Sequence, residues 1–109
     1  MEILDYVTAG GKNVITEYLN SLPNHEKDAG YQIREVIEEL GLLALASLKT
    51  RQLKGKLWEI KFSQNRIMYV IKDENFIYFL HACQKQKNKV EKFELKTAIR
   101  RAKENGIKI

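Results

Sequence analysis

The stretch WEIKFSQNRIMYVI, residues 58–71, decides the fold, because it holds two apolar runs separated by the polar Ser63-Gln64-Asn65. The first run alternates between apolar and polar residues, which is typical of an antiparallel strand with one buried face. The apolar positions, which we expect to face the core, are Trp58, Ile60 and Phe62. Glu59 and Lys61 then point to the opposite face of the sheet.

The second run, from Arg66 to Lys72, is apolar on both faces, which predicts a strand in the middle of the sheet. A polar turn follows at Asp73-Glu74-Asn75, and the segment from Phe76 to Cys83 forms a third long strand. The three strands predict an antiparallel meander.

The rest of the chain supplies helices and one short strand. Ile3 to Val7 predicts an N-terminal strand, and Asn13 caps a helix that ends before Pro23. A second amphipathic helix runs to Gly41, residues 42–50 are left open between helix and loop, and residues 91–105 form a last helix that ends at Gly106.

The predicted fold is α+β in one domain over residues 1–109. It has an antiparallel β-sheet, a meander of three long strands plus the N-terminal strand, with two N-terminal helices on one face and a C-terminal helix. We expect the helices to pack on one face of the sheet, so that Lys61 points away from the core that they cover.

Charge is divided unevenly along the chain. Residues 1–48 carry a net charge of −5, whereas residues 49–109 carry +10. The basic part predicts a nucleic acid or another acidic partner, although the alternative remains that the lysines only keep the protein soluble.

Other features exclude whole classes of protein. No apolar stretch, residues 42–46 included, is longer than five residues, which is too short to span a membrane, and the start MEILDY lacks the layout of a signal peptide. We therefore expect a cytoplasmic protein that does not associate with a membrane. Cys83 is the only cysteine, and His25 and His81 have no second cysteine or clustered carboxylates at ligand spacing. We therefore expect no metal and no cofactor.

The order LKGKLWEIKFSQNRIMYVIKDENFIYFLHACQKQKNK, residues 53–89, is followed by a helix with Glu94-Leu95 and Ala98. This order resembles the RelE/ParE toxin superfamily, nearest to its HigB-like, phage-derived branch. The resemblance implies a RelE-like fold and the toxin of a type II toxin–antitoxin module, a metal-independent mRNA endonuclease that acts on the ribosome and inhibits translation. The implied partner is a helix-turn-helix antitoxin of the HigA/Xre kind. The toxin would bind operator DNA only through this antitoxin.

Two other functions stay open, because a fold does not fix a target. Some members of the superfamily inhibit DNA gyrase and cut no RNA. An inactive RNA-binding phage remnant is the third alternative.

The resemblance and the residue chemistry together indicate catalytic candidates. Arg66 matches the Asn-Arg-Ile element of the family, and its guanidinium can grip two phosphate oxygens; the alternative is an ion pair with Glu59. Lys61 approaches from the adjoining strand. His81 has a pKa suited to proton transfer near neutrality, although a strand histidine can also be purely structural. The catalytic candidates are Arg66, His81, Lys85 and Lys61, and a possible RNA-binding track comprises Lys54, Lys56, Lys87 and Lys89.

The chain departs from the branch at three places. The branch has an aromatic residue where Cys83 stands, two adjacent basic residues where this chain has Lys85-Gln86, and Thr-Pro where it has Val90-Glu91. The second departure leaves three alternatives open: Lys87 substitutes for the missing cation, catalysis is weak, or the activity is degenerate.

Overall fold

The computed structural model describes residues 1–85 and 92–109. Five strands form one sheet in the order β1-β5-β4-β3-β2, in which β1 pairs parallel with β5 and the other neighbours pair antiparallel. This architecture confirms the α+β prediction and is compatible with a RelE-like fold. The elements in chain order are β1 Glu2–Asp5, α1 Val14–Asn20, α2 Asn24–Leu40, α3 Leu42–Ser47, β2 Lys49–Lys54, β3 Leu57–Phe62, β4 Asn65–Ile71, β5 Phe76–Gln84 and α4 Lys92–Glu104.

The helix boundaries follow local chemistry. The side chain of Asn13 accepts hydrogen bonds from the backbone N–H groups of Ile15 and Thr16, so it caps α1 as predicted. Gly41 ends α2 with a φ of 60°, a conformation that glycine adopts without steric cost. The C-terminal helix α4 ends just before Gly106, which has a φ of 73°.

The segment left open in the sequence contains both a helix and the start of a strand. Residues 42–47 form α3, and residues 49–54 form β2, an additional strand at the edge of the sheet. Leu53 is the single large aliphatic residue of β2, so the strand carries almost no apolar alternation. Strand β2 is held in the sheet by its pairing with β3, and the local sequence pattern of residues 49–54 does not predict that pairing.

Helices cover both faces of the sheet, so the expectation of one helical face is wrong. The first face packs against α1, α2 and α3 through a core that includes Ile60, Phe62, Ile67 and Phe79. On the second face, Ala98 and Ala102 of α4 pack with a second core of Leu57, Met68, Val70 and Leu80. The reason is visible in β4, whose side chains are buried on both sides and therefore need two covering layers. We call the second face the α4 face.

Two side chains of β3 differ from expectation. Trp58 was predicted to be in the core, but 36% of its surface is exposed, whereas Ile60 and Phe62 are buried. Glu59, predicted to be on the open face, is 0% exposed. The α4 face is therefore partly closed and contains buried charge.

Candidate functional site

The register of the central strands places the polar candidates in two rows on the α4 face. Lys61 of β3 pairs with Arg66 of β4, and Arg66 pairs with Cys83 of β5. In the next row, Met68 pairs with Glu59 on one side and with His81 on the other. Because directly paired residues point to the same side of a sheet, these side chains share one face. The predicted approach of Arg66 to Lys61 across the hairpin is confirmed.

A buried carboxylate surrounded by three cations lies at the centre of these rows. Glu59 Oε2 is 3.1 Å from Arg51 Nη2 and 3.9 Å from Lys61 Nζ, and Glu59 Oε1 is 3.3 Å from Arg66 Nη1. We call Glu59, Arg51, Lys61 and Arg66 the Glu59 cluster. One carboxylate facing three cations leaves an excess of two positive charges within the cluster.

The cations of the Glu59 cluster differ in their access to solvent. The side chain of Arg66 is 2% exposed, whereas that of Lys61 is 28% and that of Arg51 is 39% exposed. The ion pair between Arg66 and Glu59, the structural alternative for Arg66, is present. Lys61 and Arg51 are therefore the members of the cluster that a ligand in solution meets first.

The cluster is held by charge more than by aligned hydrogen bonds. Within residues 1–85 and 92–109, both Glu59 carboxylate oxygens and the Nε and Nη2 atoms of Arg66 are buried without an aligned hydrogen-bond partner. The short N···O distances from Arg51 and Arg66 to Glu59 are therefore ion pairs whose geometry does not meet that of a hydrogen bond. Arg66 keeps two donor nitrogens that an additional acceptor could use.

Burial and neighbouring charges both act on the protonation of Lys61. Burial lowers the pKa of Lys61 below its usual value, and repulsion from Arg51 lowers it further, while Glu59 opposes the shift. Lys85 also contributes repulsion, so its charge lies near the Lys61 ammonium. The backbone N–H of Lys85 donates to the Gln64 carbonyl, which fixes the end of β5 beside the β3–β4 turn.

His81 is fixed between β5 and α4. Arg101 Nη1 donates to the Leu80 carbonyl at 3.0 Å and to His81 Nδ1 at 3.0 Å. Since an arginine only donates, Nδ1 accepts, and the proton of the neutral ring is on Nε2, 3.2 Å from Glu94 Oε1. Burial lowers the pKa of His81, and the carboxylate of Glu94 opposes that shift. A cavity of about 340 Å³ is lined in part by Tyr18, His81 and Arg101, whereas His81 Nε2 itself is buried.

Three potential metal ligands also meet at this place. The ligand atoms of His81, Cys83 and Glu94 all lie within 4.8 Å of one another. His81 and Cys83 are two residues apart on one strand and so share a face, and Glu94 is in the first turn of α4 above them. Burial and a hydrogen bond to Glu94 raise the pKa of the Cys83 thiol.

The sequence profile of one family matches most of the chain. The family is described as Phage derived protein Gp49-like (DUF891), and the match covers residues 17–103. The chain belongs to this Gp49-like family. Gp49-like proteins are a RelE-like toxin family, so membership supports a toxin-like function at a coarse level and implies an antitoxin partner. No curated protein matches the chain.

The Gp49-like match also bears on the sequence predictions. It confirms the RelE-like toxin relationship and the phage-derived character. The HigB-like branch, the cutting of mRNA and the helix-turn-helix type of the antitoxin stay predictions. Among the helices that the structure describes, none has the length and apolar character required to cross a membrane.

The predicted site residues fall into three groups in this Gp49-like chain. Arg66, Lys61, His81 and Lys85 come together on the α4 face or at its edge. Lys54 and Lys56 lie at the β2–β3 turn, and five residues of extended chain separate Lys56 from Lys61, about 17 Å. Lys87 and Lys89 lie outside the described residues.

Several residues of the site were missed from the sequence. Arg51 lies on the unrecognised strand β2, and Glu94 and Arg101 lie on α4, which was expected on the other face. A usable signal was the two-sided apolar pattern of β4, which requires a helix over each face. The acidic Glu94 and basic Arg101 would then have been expected beside His81.

Proposed function

We propose that this Gp49-like chain is the toxin of a type II toxin–antitoxin pair and that it cuts messenger RNA on the ribosome, which stops translation. The observation that carries the proposal is the Glu59 cluster with its excess positive charge, beside a histidine held by Glu94 and Arg101. A phosphodiester at the edge of the α4 face would meet the partly exposed Lys61 and Arg51, and His81 lies across β4 from Glu59.

The protein does not have to supply a nucleophile, because the 2′-hydroxyl of the RNA is the nucleophile. The 2′-hydroxyl attacks the adjacent phosphorus, the bond to the 5′ oxygen breaks, and the products are a 2′,3′-cyclic phosphate and a 5′-hydroxyl end. The protein has to align the phosphodiester, move one proton off the nucleophile and one onto the leaving oxygen, and stabilise the added negative charge.

Within this proposal, the Glu59 cluster binds the scissile phosphate. Lys61 makes the direct contact, because its ammonium is partly exposed and Arg66 is covered. Arg66, which is buried, adds to the positive potential that the phosphate meets. Glu59 holds the cations in place, and its burial keeps its own charge away from the RNA.

His81 and Lys85 complete the proposed catalytic set. In the neutral His81 ring the proton is on Nε2, beside Glu94, so Nε2 takes up a proton from the RNA only after the ring proton has moved to Nδ1, and it can then return that proton. Lys85 adds positive charge near Lys61. Lys54 and Lys56, with Lys87 and Lys89, would extend the contact to neighbouring phosphates.

The partners follow from the same proposal. The substrate is mRNA in the translating ribosome, which places the protein in the cytoplasm. The antitoxin is a helix-turn-helix protein that binds the operator DNA and carries the toxin to it.

The test is to induce the chain in a bacterium that lacks the antitoxin, and to map new mRNA 5′ ends while plasmid supercoiling is followed. We expect new ends inside translated regions and unchanged supercoiling, and Lys61→Gln should reduce the number of new ends at least tenfold. The matched control is Lys27→Gln, a lysine of α2 on the other side of the sheet, which should cut like the wild type.

Two outcomes would reject the proposal. Intact mRNA together with altered supercoiling would indicate a gyrase inhibitor. Intact mRNA without any growth defect would indicate an inactive remnant.

A further inference from the structure

Three side chains between β5 and α4 provide sulfur, nitrogen and oxygen donors at one point. A ring nitrogen of His81, Cys83 Sγ and a Glu94 carboxylate oxygen lie within 4.8 Å of one another, and it is Nε2 that faces Glu94. We propose that His81, Cys83 and Glu94 form a binding site for Zn²⁺ or a metal of similar preference, with a fourth position left for water.

The donor set matches the chemistry of zinc. Zn²⁺ accepts thiolate, imidazole and carboxylate ligands in a tetrahedral arrangement, and three protein ligands with one open position are typical of sites that exchange water. Metal–ligand bonds of this kind place neighbouring donors about 3.3–3.6 Å apart. The 3.2 Å between His81 Nε2 and Glu94 Oε1 is already close to that spacing.

The remaining adjustment is within reach of side-chain rotation. A pair at the 4.8 Å limit would have to close by about 1.2 Å to reach tetrahedral spacing. Glu94 already lies 3.2 Å from His81 and is hydrogen-bonded to Cys83. The movement therefore falls on the side chains of His81 and Cys83, which rotate while their strand backbone stays in place.

An unsatisfied atom supports the site independently of these separations. Within the described part of the chain, His81 Nε2 is buried and has no aligned hydrogen-bond partner, although Glu94 is nearby. A buried polar atom without a partner costs free energy, and a metal ion would supply that partner.

Binding requires two changes in protonation. The Cys83 thiol loses its proton to solvent as the sulfur–metal bond forms, since thiolate is the ligand. The proton of the His81 ring moves from Nε2 to Nδ1, so Arg101 gives up its contact with Nδ1 and keeps its hydrogen bond to the Leu80 carbonyl. The nearby guanidinium groups of Arg66 and Arg101 repel the ion, so we expect weaker binding than at a site with four protein ligands.

The consequence for activity rests on the proposed function. A bound ion would occupy the His81 nitrogen that otherwise carries the proton, so metal-loaded protein should cut RNA more slowly. Metal binding itself is measured without RNA, so failure of this inference and failure of the RNA-cutting proposal can be told apart.

The experiment titrates Co²⁺, and then competing Zn²⁺, into the reduced, chelator-treated full chain and records the absorption spectrum. We expect one equivalent of Co²⁺, a thiolate-to-cobalt charge-transfer band, and loss of that band when Zn²⁺ is added. Cys83→Ser should lose the band, and Glu94→Gln, at a partly exposed position where folding is not in question, should weaken binding at least tenfold.

His25→Gln is the matched control, because His25 is the other histidine and lies exposed on α2. It should bind like the wild type. Absence of a stoichiometric band in the wild type, unchanged binding in Glu94→Gln, or loss of binding in His25→Gln would each overturn the inference.

Discussion

Replacing Glu59 by glutamine should destabilise the fold severely, although the shape of the side chain hardly changes. Glutamine removes the one negative charge that faces Arg51, Lys61 and Arg66. Arg66 is then left charged, buried and without a counter-ion, because its side chain is only 2% exposed. A cation in that position cannot recover the hydration that it lost on folding.

The size of the effect follows mainly from Arg66. The pairs to Arg51 and Lys61 are partly exposed, and such pairs contribute about 0–1 kcal/mol each. For the buried pair at 3.3 Å, Coulomb attraction with an effective dielectric constant of about 20 is about 5 kcal/mol. Breaking a buried pair by removing one partner costs about 3–5 kcal/mol. We therefore expect Glu59→Gln to lower the free energy of unfolding by about 3–5 kcal/mol.

Urea unfolding followed by circular dichroism measures this change, and a thermal scan should show Tm lower by about 12–20 °C at about 4 °C per kcal/mol. The double variant Glu59→Gln/Arg66→Met, which removes both charges, should recover part of the loss. Glu74→Gln, in the exposed β4–β5 turn, is the control and should change stability by less than about 0.5 kcal/mol. A loss below about 1 kcal/mol for Glu59→Gln would refute the reasoning, since it would mean that Arg66 does not depend on this carboxylate.

Three further changes test other parts of the fold. Gly30→Ala should lower the free energy of unfolding by about 1–3 kcal/mol despite the better helix propensity of alanine, because the new Cβ would lie 2.6 Å from Leu19 and 3.3 Å from the Phe62 ring. An increase in the urea midpoint would contradict this and show that α2 can shift. Asn13→Ala should cost about 1 kcal/mol through loss of the α1 cap, seen as a lower urea midpoint, and an unchanged midpoint would contradict the capping role. Burial raises the pKa of Tyr69 from 10.0 to about 12, so between those values the unfolded chain binds fewer protons than the native state and stability falls as the pH rises. Tyr69→Phe should reduce this loss of stability at high pH. An identical pH dependence of stability in both proteins would contradict the role given to Tyr69.

The central hairpin was predictable because its information is local. The alternation of β3, the two-sided apolar character of β4 and the short turn between them fix the pairing of Lys61 with Arg66. The N-cap at Asn13 and the helix end at Gly41 were predictable for the same reason.

The edge strand β2 and the position of α4 depended on tertiary contacts. Strand β2 is mostly polar and is held by its pairing with β3, and α4 lies on the second face because β4 has apolar residues there to cover. Periodicity describes one element at a time, so it could not show which face a distant helix would choose.

The sequence predicted which residues take part in the candidate site better than it predicted their burial and their contacts. The sequence placed Lys61 and Arg66 on one face and raised an ion pair between Arg66 and Glu59 as an alternative. It did not indicate that Glu59 would be fully buried, because the side chains that lie against it include Arg51 of the unrecognised strand β2. The meeting of His81 and Cys83 with Glu94 likewise joins residues of a strand and a helix, which no short spacing pattern reveals.

Purified protein, translating ribosomes and an mRNA with one 2′-deoxy nucleotide at the mapped cutting position test the RNA-cutting proposal directly. We predict that the all-ribose mRNA is cut to a 2′,3′-cyclic phosphate and a 5′-hydroxyl end, and that the single 2′-deoxy substitution abolishes the cut because it removes the nucleophile. An all-ribose mRNA that stays intact, or a cut that persists at the 2′-deoxy position, would contradict the proposed chemistry.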